Sequence, residues 1–500
     1  MHMISDNRLE AKRPELIHQM GNAKLMGCCF PFFVLTLLIN ITSAADRPNV
    51  LFIISDDLGS QSLGCYGNAQ CKTPNIDALA ERGVRFNQTY TQYPVCGPSR
   101  AALMSGMYAQ VIGVTSNGAS NRFTKNLGDR PSMSQHFINH GYHAARVSKI
   151  YHMRVPGDIT AGVDGPDHAA SWTERFNCQA PEQWTVGQHE HLTNEKLKPD
   201  PKRSIHYSLG YGGAFYVVRG DSEGTEQADH KAAAKAAELL EQRAKDKKPF
   251  FLAVGLVRPH VPLVAPASFF ESYDADQMKL PRQVDDDWND IPRAGISKNS
   301  ARSGLDSKLK KREVLEAYYA SVTYMDAQVG KIVTALDRLG LRDNTIVVFT
   351  ADHGYHLGEH EFWQKMSLHE ESTRIPLIIH APRKKPSESR ALSQQIDIYA
   401  TLAELCGLPV PAHVQGKSLV KAMDDPKHVV HEAVYCLRGR NDHLLRTDRW
   451  AMIRYGDGST ELYDMQADPR QFVNLAMDPD HKTTLSELLT QLDTKLKSMK

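Results

Sequence analysis

The chain of 500 residues carries almost no net charge, because its 59 lysines and arginines are balanced by 58 aspartates and glutamates. A protein that binds nucleic acid through a basic field needs an excess of positive charge, so this composition argues against that class. The sequence also lacks internal repeats and low-complexity tracts. Its content of 41% hydrophobic residues is sufficient for one large core and a smaller appended domain.

A hydrophobic run long enough to span a bilayer comfortably is also lacking near the N-terminus, where the apolar run covers only residues 30–39. The small residues at 43–45 then predict an export signal, cleaved after Ala45. An uncleaved membrane anchor is the alternative, and a start at Met20 would give a signal of more usual length. We expect residues 1–45 to be a signal peptide and the mature protein to be exported, periplasmic or extracellular, without stable membrane insertion.

Cysteine is scarce, with eight residues in the whole chain, and two of them lie in the predicted signal. Removal of the signal leaves Cys65, Cys71, Cys96, Cys178, Cys406 and Cys436. An exported chain can oxidise its thiols, and Cys65 with Cys71 could close a small loop. The spacing alone does not determine the pairing.

Cys96 stands in an unusual setting, the segment Cys-Gly-Pro-Ser-Arg at residues 96–100. Neither a structural thiol nor a disulfide requires a proline and an arginine at these offsets. Residues 101–106 predict a short helix that ends at Gly106. The thiol would then lie at a helix N-terminus, where backbone N–H groups and the helix dipole favour an anion. A buried core cysteine is the alternative interpretation.

The distribution of apolar runs predicts an α/β fold. Continuous apolar runs at 49–54, 250–255, 345–350 and 376–379 are typical of buried parallel strands, and helical patterns occur at 73–83 and 313–339. We predict a doubly wound, mostly parallel sheet flanked by helices. We expect a catalytic α/β domain over 46–385 with a loop-rich insertion near the site at 155–230. Residues 386–500 predict a smaller subdomain with an antiparallel sheet and a terminal helix.

Acidic residues follow two of these predicted strands. Asp56 and Asp57 come after the first strand, and Asp352 and His353 come after the strand at 345–350. Ligands of doubly wound sheets bind beyond the carboxyl ends of the strands. Three carboxylates and an imidazole at this edge indicate a site for Ca²⁺ or Mg²⁺ rather than zinc. A helix cap and a plain turn are the alternatives.

These motifs together resemble the formylglycine-dependent (type I) sulfatases of the alkaline-phosphatase-like superfamily, over residues 46–480. The matching segments, in order, are 55–59 (Ser-Asp-Asp-Leu-Gly), 73–77 (Thr-Pro-Asn-Ile-Asp), 96–100, 352–354 (Asp-His-Gly) and 357–360 (Leu-Gly-Glu-His). Lys149 with His152, and 258–260 (Arg-Pro-His), make the chain most similar to the iduronate-2-sulfatase group. That group usually carries an Arg-Pro-Asp-like stretch where this chain has residues 107–115.

The resemblance implies that a formylglycine-generating enzyme oxidises Cys96 to 3-oxoalanine (formylglycine) during maturation. The hydrated aldehyde then supplies one hydroxyl to attack sulfur and a second that lets the carbonyl re-form as sulfate leaves. The resemblance also implies a set of Ca²⁺ ligands, with Mg²⁺ as the alternative ion. These ligands are Asp56, Asp57, Asp352, His353 and the modified Cys96.

The same resemblance assigns roles to further side chains. Arg100 would hydrogen-bond the diol, while Lys149 and Lys365 would neutralise the sulfate oxygens. His260 would protonate the leaving alcohol and His152 would take the diol proton, although these two roles could be exchanged.

Trp172 and Arg175, in the predicted insertion, are candidate substrate-binding residues. Trp172 could stack on a sugar, and Arg175 could pair with a uronate carboxylate. A packing corner is the alternative interpretation of both residues.

We therefore expect a sulfatase that hydrolyses sulfate esters of a polysaccharide or its oligosaccharides, with a uronate-type 2-O-sulfate favoured. A phosphate or phosphonate ester hydrolase of the same superfamily is the first alternative. A non-catalytic glycan-binding protein is the second.

Overall fold

The computed structural model describes residues 47–193, 215–246, 248–297 and 304–499. The predicted signal peptide and its cleavage site lie outside the described residues. No helix among the described residues combines the length and the apolar character needed to cross a bilayer. All six cysteines predicted to remain after signal removal are described, and each is a free thiol, so Cys65 and Cys71 do not form a disulfide in the structure.

Strands account for much of the described chain. In chain order they are β1 (Asn49–Asp56), β2 (Val84–Tyr90), β3 (His143–Ser148), β4 (Glu174–Phe176), β5 (Gly187–His191), β6 (Tyr216–Gly220), β7 (Phe250–Pro259), β8 (Leu263–Pro266), β9 (Thr345–Ala351), β10 (His356–Leu357), β11 (Trp363–Gln364), β12 (Arg374–His380), β13 (Ser387–Gln394), β14 (Ala433–Arg438), β15 (Asp442–Thr447), β16 (Trp450–Arg454) and β17 (Thr460–Asp464).

The helices lie between these strands. They are α1 (Pro74–Ala80), α2 (Cys96–Ser105), α3 (Ala109–Ile112), α4 (Phe123–Leu127), α5 (Met133–Asn139), α6 (Gly157–Ala161), α7 (Ala228–Ala244), α8 (Ala267–Phe270), α9 (Lys308–Arg338), α10 (Glu370–Thr373), α11 (Asp397–Leu405), α12 (Val420–Asp424) and α13 (Lys482–Ser498).

The central sheet has eight strands in the order β13-β2-β12-β9-β1-β7-β3-β4. Five of its strand pairs are parallel, and only β12 runs antiparallel to its neighbours β2 and β9. The prediction of a mostly parallel sheet flanked by helices is therefore confirmed.

Both faces of the central sheet are buried. Along β1, Leu51 and Ile53 belong to one hydrophobic cluster, whereas Val50, Phe52 and Ile54 belong to another. Successive side chains of a strand point to opposite faces, so an unbroken apolar run requires helices on both sides of the sheet. Helices α7 and α9 contribute to the first cluster and α2, α5 and α11 to the second.

The segment that we predict to be a loop-rich insertion contains short strands. β4 extends the central sheet beside β3, and β5 and β6 join β8 in a three-stranded sheet. These strands have three to five residues and no continuous apolar run, so the sequence gives little signal for them.

Strands β14–β17 form an antiparallel sheet near the C-terminus, and α13 packs on it through Leu488 and Leu492. Central residues of these strands are buried, including Leu437, Leu445 and Met452. The antiparallel sheet and the terminal helix occupy the part of the chain where the sequence predicts them.

His443 in β15 makes the stability of this sheet region sensitive to acid. Its side chain is buried, and its Nδ1 lies 2.9 Å from the Tyr435 hydroxyl. Burial lowers the pKa of His443 to about 4. An unfolded histidine titrates near pH ~6.5, so between these two values the unfolded chain binds a proton that the folded chain does not bind.

Stability should therefore fall as the pH drops from about 6.5 towards 4. We expect His443→Gln to reduce the loss of unfolding free energy between about pH 7 and pH 5 by on the order of 1 kcal/mol. Denaturant unfolding of both proteins at the two pH values measures this difference. An unchanged pH dependence in the variant would show that His443 is not the group responsible.

Candidate active site

The candidate site lies at the carboxyl edge of the central sheet, where β1 and β9 are parallel neighbours. Ser55 pairs with Ala351, so the residues that follow these two positions lie next to each other. The backbone N–H of Asp57 donates to Oδ1 of Asp352 over 3.1 Å. Asp57 has a φ of 65°, a left-handed conformation that turns its carboxylate into the cluster at some backbone cost.

Helix α2 brings Cys96 to the same edge. Cys96 is the first residue of the helix and is 1% exposed. Its Sγ lies 3.3 Å from Nε2 of His353, 3.3 Å from Nζ of Lys365 and 3.7 Å from Oδ1 of Asp57. Three residues from separate parts of the chain therefore converge on the sulfur atom of Cys96.

The donor set is suited to a hard cation. Ligand atoms of Asp56, Asp57 and Asp352 lie within 4.8 Å of one another, and so do those of Asp57, Cys96 and His353. Oδ2 of Asp57 is buried and accepts no hydrogen bond from the described residues. Carboxylate oxygens are preferred ligands of Ca²⁺ and Mg²⁺, so these side chains fit such an ion.

His353 is oriented as a ligand. Its Nδ1 lies 2.9 Å from the carbonyl of Gly354, an acceptor, so Nδ1 carries the proton. The lone pair of Nε2 then points towards Asp57 Oδ1 and the Cys96 sulfur. A thiol sulfur is a soft ligand among hard oxygens, whereas an oxygen-bearing side chain at position 96 would suit the same cation.

Arg100 holds the acidic residues in place. Its guanidinium is fully buried, with Nε 3.0 Å from Asp352 Oδ2 and Nη2 3.2 Å from Asp56 Oδ1. Nη1 donates to the backbone carbonyls of Lys149 and Ile150 over 2.6 and 3.1 Å. These contacts leave one Nη2 hydrogen of the five donors for a ligand.

Two lysines flank the carboxylates. The ammonium of Lys149, just after β3, contacts Asp56 Oδ2, and both side chains are fully buried. Lys365 reaches the cluster from the loop after β11, with its Nζ 2.5 Å from Asp57 Oδ1. An anion entering beside Cys96 would meet the positive charge of Lys365, with that of Lys149 next to Asp56.

His260 and His152 lie at the rim of the cluster. Nδ1 of His260 lies 2.5 Å from the carbonyl of Val261, and its Nε2 lies 3.7 Å from Asp57 Oδ2. His152 is 8% exposed, and its Nδ1 has no hydrogen-bond partner among the described residues. Both imidazoles therefore have a ring nitrogen that is not engaged by backbone groups.

The charges of the cluster shift its pKa values. Burial by itself would raise the pKa of Asp56, but the neighbouring cations, Lys149 first among them, hold it well below its usual value. Burial and then the Asp56 carboxylate raise the pKa of the Cys96 thiol well above its usual value. A reactive cysteine needs a lowered pKa, so this environment does not favour a thiolate nucleophile.

The protonated form of both histidines is disfavoured. Burial lowers the pKa of His260 to about 4. Burial, followed by the charge of Lys149, lowers the pKa of His152 well below its usual range. An anionic ester bound beside them would add negative charge and raise both pKa values.

Trp172 and Arg175 lie in a network of their own. Trp172 is 7% exposed, its ring packs edge-on against Tyr151 at 6.2 Å, and its Nε1 donates to Asp167. Arg175 pairs with Asp164 at 3.0 Å and with Asp167 at 3.4 Å. These contacts do not include the residues around Cys96, and a role of Trp172 and Arg175 in substrate binding stays a prediction.

Several residues that support the site were not found from the sequence. Ser99 and Gln395 both hydrogen-bond the backbone carbonyl of Asp352. The Tyr318 hydroxyl donates to the carbonyl of Asp57 over 2.6 Å, and Asn117 accepts from the N–H of Gly97 over 2.8 Å. Ser99 lies inside the 96–100 motif, but no role was assigned to it from the sequence; Asn117, Tyr318 and Gln395 belong to no motif, so only the folded chain reveals their contacts.

Comparison with known families and proteins agrees with this geometry. Residues 48–408 match the family model described as sulfatase, and residues 358–498 match the one described as N-sulphoglucosamine sulphohydrolase, C-terminal. The chain is 30% identical over 459 residues to a protein named sulfatase from Formosa agariphila, covering 90% of this chain and 87% of that protein. It is 31% identical over 432 residues to iduronate 2-sulfatase from Homo sapiens, covering 76% and 74%.

The fold is also shared with a solved phosphonate monoester hydrolase from Silicibacter pomeroyi. The two structures have a TM-score of 0.72 at 22% sequence identity, over 91% of this chain and 96% of that chain. At this identity the likeness concerns the fold.

Proposed function

Since the chain belongs to the sulfatase family, we propose that it hydrolyses sulfate esters of a sulfated polysaccharide or its oligosaccharides, through formylglycine at position 96 and a bound Ca²⁺. The observation that carries the proposal is the convergence of Lys365, His353 and Asp57 on Sγ of Cys96 within 3.3–3.7 Å. A uronate 2-O-sulfate is the favoured substrate, because the relatives include iduronate 2-sulfatase.

A bound cation and formylglycine, neither of which is part of the unmodified polypeptide, would supply part of the chemistry. Asp56, Asp57, Asp352 and His353 would hold the cation, which lowers the pKa of a bound hydroxyl and offsets negative charge. When hydrated, formylglycine at position 96 would supply one hydroxyl as nucleophile and a second hydroxyl that allows the aldehyde to be restored. Its oxygens would also replace the soft sulfur in the ligand set.

The side chains of the site bind and orient the ester. Lys149 and Lys365, which contact Asp56 and Asp57, would neutralise the sulfate oxygens. Arg100 contacts Asp56 and Asp352 and would keep these ligands in place as charge redistributes. His260 and His152 would exchange protons with the leaving alcohol and with the nucleophile.

The maturation enzyme and the glycan are the partners in this proposal. Conversion of Cys96 would require a formylglycine-generating enzyme, and the balanced net charge is the reason that we do not expect nucleic acid as a partner. Export through the signal peptide at residues 1–45 is part of the same proposal and is supported by the sequence of that segment.

The proposal is tested by comparing sulfate and phosphate esters of one alcohol, such as 4-nitrophenol. We expect the sulfate ester to have the higher kcat/KM. Sulfated disaccharides with a 2-O-sulfated uronate or a 6-O-sulfated hexosamine then test the favoured substrate. Faster turnover of the phosphate ester would support the phosphate or phosphonate hydrolase alternative, for which the shared fold of the Silicibacter pomeroyi enzyme is the argument.

Replacement of His260 by glutamine tests its role as the general acid. A sugar alkoxide is a poor leaving group and needs a proton, whereas 4-nitrophenolate does not. We expect His260→Gln to lower kcat for a sugar sulfate by about 10²- to 10⁴-fold and to have a much smaller effect on 4-nitrophenyl sulfate. If His152→Gln shows this dependence on the leaving group and His260→Gln does not, the two roles are exchanged.

A further inference from the structure

The loop that carries Lys365 has an unusually strained backbone. Left-handed φ angles occur at His360 (57°), Glu361 (56°), Gln364 (67°) and Met366 (75°), none of which is glycine. Such a conformation costs about 1 kcal/mol or more at each residue, so surrounding contacts must hold the loop in this form. We call residues 358–367 the lysine loop.

One side of the lysine loop is held by residues 287, 288 and 311. Nδ1 of His360 lies 2.9 Å from Oδ2 of Asp287, and the indole Nε1 of Trp288 donates to the His360 carbonyl over 2.6 Å. Lys311, on α9, pairs with Glu361 at 2.5 Å. The two adjacent left-handed residues are therefore each fixed by a charged partner.

The other side is held by the C-terminal sheet. Nε2 of His369 lies 3.0 Å from Oε2 of Glu461, on β17, and both side chains are fully buried. The hydroxyls of Tyr455 and Tyr463 donate to Glu461 over 2.6 and 2.8 Å. Arg438, at the end of β14, donates to the carbonyl of Met366 over 3.3 Å.

Imidazole rings packed against one another connect these two anchors. The ring centroids of His360 and His369 are 4.8 Å apart, and those of His356 and His369 are 6.4 Å apart. Nε2 of His356 lies 2.6 Å from the Ser367 hydroxyl. The cluster formed by His356, His360 and His369 thus links Asp287 and the C-terminal sheet to the two ends of the segment that carries Lys365.

We propose that His360 and His369, held by Asp287 and Glu461, are positioning residues that set the location of Lys365 next to position 96. Lysine has a long, flexible side chain, so the position of its backbone decides where the ammonium can lie. A shift of about 1 Å in a group that contacts the reacting ester can lower the rate by about 10²-fold. The C-terminal sheet thereby contributes to activity through Glu461. This inference rests on the proposed function only in assigning Lys365 to the bound sulfate.

A double-mutant cycle between Glu461→Gln and Lys365→Ala tests the proposal. The readouts are kcat/KM on the ester that the wild type hydrolyses and the Kd of inorganic sulfate. We expect Glu461→Gln to lower kcat/KM by about 10- to 100-fold in the wild type. In the Lys365→Ala background it should change kcat/KM by less than about twofold, because its effect passes through the lysine.

Asp287→Asn provides the same measurement from the other side of the loop and replaces Glu461→Gln if that variant does not fold. His443→Gln is the matched control, since it removes a buried imidazole of the same C-terminal sheet whose Nδ1 faces the Tyr435 hydroxyl rather than the lysine loop. Equal losses in both backgrounds would overturn the proposal and indicate a general structural effect. A wild type that hydrolyses no sulfate ester would contradict the proposed function instead, and the cycle would then be evaluated on sulfate binding.

Discussion

Replacing Cys96 by alanine is expected to lower turnover of sulfate esters by at least about 10⁴-fold, the scale seen when a covalent nucleophile is removed. The structure explains why no neighbouring side chain can replace residue 96 as the nucleophile. Sγ of Cys96 is the atom on which Lys365, His353 and Asp57 converge. Alanine removes only one buried atom from the side chain, so the fold should be retained, as circular dichroism and the Tm can show.

Cys436→Ala is the matched control, because Cys436 is an equally buried thiol in the C-terminal sheet. We expect it to retain activity. The mass of the Cys96 peptide from active wild-type protein provides a second measurement, since formylglycine has lost sulfur and is lighter than cysteine. An unmodified thiol in fully active protein, or an active Cys96→Ala variant, would contradict the mechanism.

Asp57→Asn should have the second-largest effect. Its Oδ2 is buried and receives no hydrogen bond from the part of the chain that the structure describes, and its Oδ1 lies 3.2 Å from His353 Nε2. An amide has no net charge and directs N–H groups towards either the cation or Lys365. We expect kcat/KM to fall by about 10³-fold, equivalent to the loss of several kcal/mol of transition-state stabilisation.

The same variant tests whether this cluster binds a cation. Protein treated with a chelator and then titrated with Ca²⁺ should show a rising Tm for the wild type, because a ligand that binds only the folded state stabilises it. Asp57→Asn should lose that rise. Asp326→Asn is the matched control, since Asp326 is a buried aspartate that caps α1 and lies outside the cluster. Equal Ca²⁺ responses in the wild type and Asp57→Asn would exclude Asp57 as a ligand.

The extent of agreement between sequence and structure differs from element to element. The apolar runs that become β1, β7, β9 and β12 could be recognised, because a strand covered on both faces must be apolar at every position. The short strands β4 and β5 could not, because their exposed and partly buried residues produce no regular pattern. β6 could not either, because its buried apolar run has only three residues. Cys65 and Cys71 stay apart as thiols, although their spacing in the sequence is compatible with a loop.

The sequence by itself determined the chemical groups of the site, because aspartates at strand ends and the segment at 96–100 can be identified without coordinates. Only the tertiary structure decided how these groups are held. Arg100 bridges Asp56 and Asp352, and the strained loop of Lys365 is fixed by Asp287 and Glu461. The physical reason is that these contacts join residues far apart in the sequence, such as Arg100 and Asp352, and a local pattern carries no information about such pairs. The contact between Trp172 and Tyr151, in which the indole is buried, is likewise visible only in the folded chain.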